Sequence, residues 1–229
     1  MRQPQQHRSV RSSTRRLRWH AAATHTLELP DCQNRYRAFR EAADPALFPE
    51  ASACFQTLVA RQPNLAHAWA GLAMLHIDEY AFYSGGDTDS PLVHARAAAR
   101  KAMELDGTNI LANVALARVQ YFDGDPGFVA SAEKAVALGP ANADVLGMIG
   151  ALLAGYGDDL HGLDLIVQAE KLSLRPRPAL NIARAYSHLR ADEPCEALVA
   201  AQRMESPKWF ITHVLATAAA ASCGDEGAR

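Results

Sequence analysis

Aromatic residues are scarce, at 7% of the chain. Runs of Val, Ile, Thr and Tyr of the kind that build strands are missing, which argues against a β-sheet. No stretch of about 18 uncharged apolar residues occurs, so no membrane-spanning helix is expected; the Ala-rich segment 214–221 is far too short. The four cysteines, Cys32, Cys54, Cys195 and Cys223, include no Cys-x-x-Cys pair. Neither a disulfide framework nor a zinc site is expected, and the cysteines read as small buried hydrophobes in the reducing cytoplasm. Catalytic signatures are missing too. No Gly-Lys-Ser or Gly-Lys-Thr follows Gly85-Gly86-Asp87, and no histidine lies in a metal-spaced pair or beside a nucleophile elbow. Asp87 with Asp89, and Asp158-Asp159, lack the twelve-residue calcium pattern and read as helix N-caps. We expect no enzyme, no metal and no cofactor.

What is present is alanine, in a chain of 229 residues that is 49% hydrophobic and 21% charged. Alanine is the best helix former and lets helices pack closely, so an all-α chain follows. Charge is unevenly spread. Arg2, Arg8, Arg11, Arg15, Arg16 and Arg18 stand in the first 18 residues without an acid; setting those six charges aside turns the net −2 into −8 for the remainder. Residues 1–30 read as a disordered basic tail: a solvated arm, an organellar transit peptide, or an arm for phosphate or acidic lipid. The mildly acidic remainder, residues 31–229, is not expected to bind nucleic acid.

Within 31–229 a pattern recurs. A large residue is followed three later by an aliphatic one and then by a small one: Trp69/Leu72/Ala73, Asn113/Leu116/Ala117, Leu146/Ile149/Gly150, Ala179/Ile182/Ala183 and Thr212/Leu215/Ala216. Successive openings are 44, 33, 33 and 33 residues apart. A second pattern interleaves with the first: Ala51/Phe55/Leu58, Ala95/Ala99/Ala102, Phe128/Ala132/Ala135, Gly162/Ile166/Ala169 and Ala197/Ala201/Met204. Pro63, Gly107, Pro140, Pro176 and Pro207 follow these, where proline or glycine stops a helix. Repeats of about 34 residues made of two helices are the tetratricopeptide (TPR) pattern. The fold expected is a right-handed α-solenoid of antiparallel helix pairs: about five pairs plus an unpaired last helix. Trp69 should wedge between pairs, so that Trp69→Ala costs about 3–5 kcal/mol. The open face of the last helix (Phe210, Val214, Ala218) suggests self-association or a longer parent protein.

The 44-residue step carries an excess at Tyr80–Pro91. Its aromatics Tyr80, Phe82 and Tyr83 form either a flap over a ligand or packing beneath a long loop. In TPR arrays the first helices line the concave face, at positions two before and five, eight and nine after the opening residue. That offers His67, Met74, Asp78, Arg118, Tyr121, Phe122, Arg184 and His188 for a protein or peptide partner. Arg118 and Arg184 either hold a partner's carboxylate or form salt bridges within the array.

Residues 31–229 resemble the TPR half of bacterial class III adenylate cyclases and of winged-helix transcriptional regulators. The likeness lies in Leu65-Ala66-His67-Ala68-Trp69-Ala70-Gly71-Leu72-Ala73, in the segment Ala97 to Asp106 and in Ser206 to His213. It implies an interaction or sensory module in signalling, detached from its effector. Neither a cyclase metal-binding Asp pair nor a winged-helix segment is present, so neither activity carries over. The chaperone-binding carboxylate clamp of the superfamily is not matched either.

Overall fold

A computed structural model describes residues 27–42, 44–82, 90–174, 177–205 and 210–226. These form eleven α-helices, with no strand among the described residues. In chain order they are α1 (Leu29–Ala42), α2 (Phe48–Arg61), α3 (Ala66–Phe82), α4 (Ser90–Leu105), α5 (Ile110–Asp123), α6 (Phe128–Leu138), α7 (Ala143–Tyr156), α8 (Asp159–Leu172), α9 (Asn181–Arg190), α10 (Pro194–Gln202) and α11 (Phe210–Glu226). Consecutive helices pack as pairs from α1–α2 to α9–α10, and α11 packs on α10. The odd-numbered helices also stack on one another, α3 on α5, α5 on α7 and α7 on α9. This is the α-solenoid that the repeat pattern predicts.

The second-helix pattern is the spine of the core. Ala51, Phe55, Leu58, Ala95, Ala99, Ala102, Phe128, Ala132, Ala135, Ile166, Ala169, Ala197, Ala201 and Met204 are all at most 2% exposed. Small residues are needed because paired backbones nearly touch. A Cβ built on Gly162 would lie 2.5 Å from the backbone nitrogen of Ala154, and one on Gly150 would lie 2.6 Å from the carbonyl oxygen of Gly162. Gly71 is tight for a different reason: the ring of Phe55 sits 2.3 Å from where its Cβ would be.

The junction turns end and restart helices by local chemistry. Asn109 Oδ1 accepts from the Ala112 amide at 3.1 Å, Asn142 Oδ1 from the Asp144 and Val145 amides, and Asp158 Oδ1 from the His161 amide. Asp158 is thus the N-cap of α8, as read from the sequence. Helix α1 keeps the register as well. Tyr36 and Phe39 stand 33 residues before Trp69 and Leu72, although Arg40 occupies the small slot. It starts at Leu29, inside the span read as tail; residues 1–26 of that tail lie outside the described residues.

Three expectations need correcting. The long linker is shorter than read, because α3 continues to Phe82 and α4 begins at Ser90. Tyr83 and residues 84–89 lie outside the described residues, as do Pro176 and residues 206–209. Trp69 is half-buried, packed against the cluster of Ala70, Ala102 and Ala112 alongside Met103 and Leu111, with its indole Nε1–H donating to the Pro63 carbonyl at 2.9 Å. Its wedge position holds, but partial exposure lowers the expected cost of Trp69→Ala to about 2 kcal/mol.

The cysteines are the third. Cys32 pairs with Cys54, joining α1 to α2, and Cys195 pairs with Cys223, joining α10 to α11. The Cα atoms are 5.4 and 4.9 Å apart. The partners are 22 and 28 residues apart in sequence. Facing positions on antiparallel helices leave no local spacing signal, so the sequence showed four isolated residues. The inference of a reducing environment falls with that reading. Each bond closes a loop long enough to contribute about 3 kcal/mol.

The close α7–α8 approach gives a paired test. Gly162→Ala should lose roughly 2–3 kcal/mol in urea unfolding, since backbone cannot yield as a side-chain tip can. Gly224→Ala, in a helix with nothing within 4 Å of the new methyl, should gain about 0.5–1 kcal/mol. Equal effects would contradict the packing described.

Candidate functional site

Helix periodicity gives α7 two faces. The buried face is Leu146, Ile149, Gly150 and Leu153, and the half-buried face is Met148, Ala151 and Leu152. The half-buried face borders a cavity of about 260 Å³. Its walls come from α1 (Arg40), α3 (Ala81, Phe82), α5 (Arg118, Tyr121, Phe122), α7 (Met148, Ala151, Leu152), α9 (Ile182, Tyr186) and α11 (Ile211), with Glu170 of α8 and Arg177 at the rim. All six odd-numbered helices contribute, so this is the concave face of the solenoid.

The aromatic rim is built by edge-on packing. Tyr80 meets Phe122 at 5.5 Å between ring centroids, Tyr121 meets Phe122 at 5.1 Å, and Tyr121 meets Phe128 at 5.5 Å. Tyr121 also lies over Gly155, where a Cβ would come 2.7 Å from its hydroxyl. Burial raises the phenol pKa values of Tyr121 and Tyr186 above the ordinary value, with Arg190 acting in the opposite direction.

The charged groups bordering this cavity are engaged within the chain. Asp78, 1% exposed, accepts from Arg118 Nη2 at 2.6 Å and from the Tyr36 hydroxyl at 2.7 Å; Arg40 Nη1 lies 3.5 Å from it. Burial by itself would raise the Asp78 pKa, but the Arg118 and Arg40 charges and the two hydrogen bonds outweigh it, holding the carboxyl below its usual value. Burial, then the Asp78 charge, push the Tyr36 phenol up to about 12. Arg184 grips Glu170 through two bonds of 3.0 Å, and Arg177 meets Asp144 at 2.7 Å.

The groove positions read from sequence therefore divide. Arg118, Tyr121 and Phe122 line the cavity, and so does Phe82. Met74 (1% exposed) and Asp78 do not face a groove, because α1 lies over this part of α3 through Tyr36 and Arg40. His67 is half-buried, 2.9 Å from Gln33 Nε2, and burial lowers its pKa. Arg118 and Arg184 form salt bridges within the array, the second of the two roles left open for them. His188 sits 2.7 Å from Glu193 and away from the cavity. Sequence reading missed Arg40, Met148, Leu152, Ile182, Tyr186 and Ile211. The signal for part of the α7 wall was available: two before and five after Leu146 fall Asp144 and Ala151, and both line the cavity.

The fold has relatives among solved structures. A tetratricopeptide repeat protein from Parabacteroides merdae superposes with a TM-score of 0.59 at 16% identity, over 85% of this chain and 72% of that one. TTC0263, a thermophilic TPR protein of Thermus thermophilus, gives 0.58 at 17% identity, over 82% and 98%. No protein-family model and no curated protein matches the sequence. The fold is that of tetratricopeptide repeat proteins.

The buried cluster makes a prediction of stability against pH. A phenol whose pKa is raised on folding keeps its full contribution below its unfolded value and loses it above. Stability should therefore fall as pH rises from about 10 to about 12. Tyr36→Phe should lack that portion of the loss in alkaline denaturation curves. Removing the carboxylate by Asp78→Ala should cost about 3–5 kcal/mol near neutral pH, because Arg118 is left buried and unpaired. A loss below about 1 kcal/mol would contradict the cluster's role.

Proposed function

We propose that the protein is a non-enzymatic interaction module that holds a peptide or protein segment in its concave groove. The observation that carries this is the convergence of six helices on one cavity whose bordering charges are already paired. A wall with satisfied charges favours a neutral, apolar occupant over an acidic one, since a charged ligand would have to compete with Asp78, Asp144 and Glu170. The anchor is then an aromatic or aliphatic side chain of the partner, seated among Phe82, Tyr121, Phe122, Met148 and Leu152. Tyr80 supports this rim through Phe122, and Tyr83 would belong to the adjoining segment. His67, Met74, Asp78, Arg184 and His188 act as support or at the periphery. Nucleic acid is not the expected partner of an acidic array. No described helix is long and apolar enough to cross a membrane. The pairing of all four cysteines favours an oxidising compartment over the cytoplasm that isolated thiols suggested.

A second reading makes this chain the regulatory part of a longer signalling protein, of the adenylate-cyclase or winged-helix-regulator kind. It is favoured by the likeness at 65–73, 97–106 and 206–213. The open side of α11, where Phe210 is 66% and Val214 40% exposed, also offers a place for self-association.

The groove reading predicts that Met148→Glu weakens capture of the native partner by about tenfold or more, because the apolar wall that seats the partner's anchor gains a charge that binding would desolvate. The variant should keep its melting temperature within about 3 °C, as befits a half-buried position. Retained binding by a folded Met148→Glu protein would remove the groove from the account. Separately, light scattering at millimolar concentration should show association that Phe210→Glu abolishes; a monomer throughout would exclude the α11 contact.

A further inference from the structure

The two disulfides are not equivalent. Cys32 and Cys54 are 0% and 3% exposed and belong to the main core, packed with Phe55, Leu58 and Leu72. Cys195 and Cys223 are half-buried. Thiol–disulfide exchange requires a thiolate to reach a sulfur, so access separates the two bonds.

They also hold different things. Helix α2 is fixed by six buried residues and packs on both α1 and α3. Among the described residues helix α11 packs mainly on α10 and also on α9. Of its described side chains just Leu215 and Ala219 are buried, Leu215 in a small cluster with Ala185, Ala200, Ala201 and Met204. A helix held by few buried residues opens before one held by many. The Cys195–Cys223 bond joins the first turn of α10 to the last turn of α11, at the end of α11 opposite Ile211. Ile211 is a wall of the groove.

We infer that Cys195–Cys223 is a redox latch on the groove. Closed, it holds α11 in place and keeps Ile211 in the cavity wall that Ile182 and Tyr186 share; opened, it releases α11 and removes that part of the wall. This rests on the groove being the binding site. The step is ordinary exchange with a dithiol reductant. One thiolate of the reductant attacks a sulfur of the bond, and the other cysteine leaves as a thiolate and takes up a proton. The reductant's second thiol then displaces the remaining cysteine. Two electrons and two protons end on Cys195 and Cys223, and the reductant departs as its disulfide. The Cys32–Cys54 bond stays closed throughout.

The test uses the full chain, graded dithiothreitol, and alkylation followed by peptide mass spectrometry. Thiols should appear at Cys195 and Cys223 at least tenfold faster than at Cys32 and Cys54. Amide hydrogen exchange over 210–226 should then accelerate at least tenfold, while 128–172 is unchanged. The probe for the groove is N-acetyl-tryptophanamide, followed through the methyl resonances of Met148 and Ile211. Its dissociation constant should rise at least fivefold when the bond opens, and a Cys195→Ser/Cys223→Ser double variant should show the same weak binding without reductant. Equal reduction rates for both bonds, or unchanged exchange in α11 once its bond is open, would overturn the latch. An unchanged dissociation constant with α11 released would overturn its control of the groove. Failure of the oxidised protein to bind the probe at all would instead sink the groove reading, and this regulation with it.

Discussion

The structure depends on how closely the two helices of a pair can approach. The contact of Gly150 with Gly162, where one added methyl would press on backbone, sets the spacing of α7 and α8. The same constraint recurs as alanine at 95, 99, 102, 132 and 135 in the second helices. Small residues on these lines let each second helix sink against its first helix, and the larger residues on the other faces then meet the next pair. The superhelix, its concave side and the cavity on that side all follow from this close approach.

Much of this was legible from sequence because a solenoid repeats its constraint. One Ala-x-x-x-Phe carries no information, but five interleaved sets in register define helix pairs, their order and their junctions. The cap Asp158 was readable for a local reason, since a side chain bonding an amide three residues on needs no tertiary knowledge. Helix α1 was harder. It keeps Tyr36 and Phe39 in phase but puts Arg40 where the pattern wants a small residue, and Arg40 turns out to serve the Asp78 cluster.

The site was less legible than the fold. A rule that places groove positions by offset treats every repeat alike. On α5, in the middle of the array, it points to Arg118, Tyr121 and Phe122, which line the cavity. On α3 it fails for Met74 and Asp78, because the preceding helix covers them. Charges on helix faces were equally ambiguous: whether Arg184 meets a partner or Glu170 depends on a neighbour fourteen residues away. The disulfides show the same limit, since their partners are brought together only by antiparallel packing. Where a repeat protein departs from its repeat, at its ends and in its polar contacts, sequence periodicity has nothing to report.

In the proposed reading the groove, its paired charges and its latch form a surface that would select an apolar segment, with Ile211 of α11 as one wall. The most direct measurement is site-specific photo-crosslinking of the full chain in its native host. A benzophenone amino acid would stand at Leu152 in the groove or at Val167 on the outer side of α8. The account predicts a discrete adduct from position 152, mapped to an apolar stretch of one partner, and none from 167. Adducts from 167 with silence at 152 would contradict it.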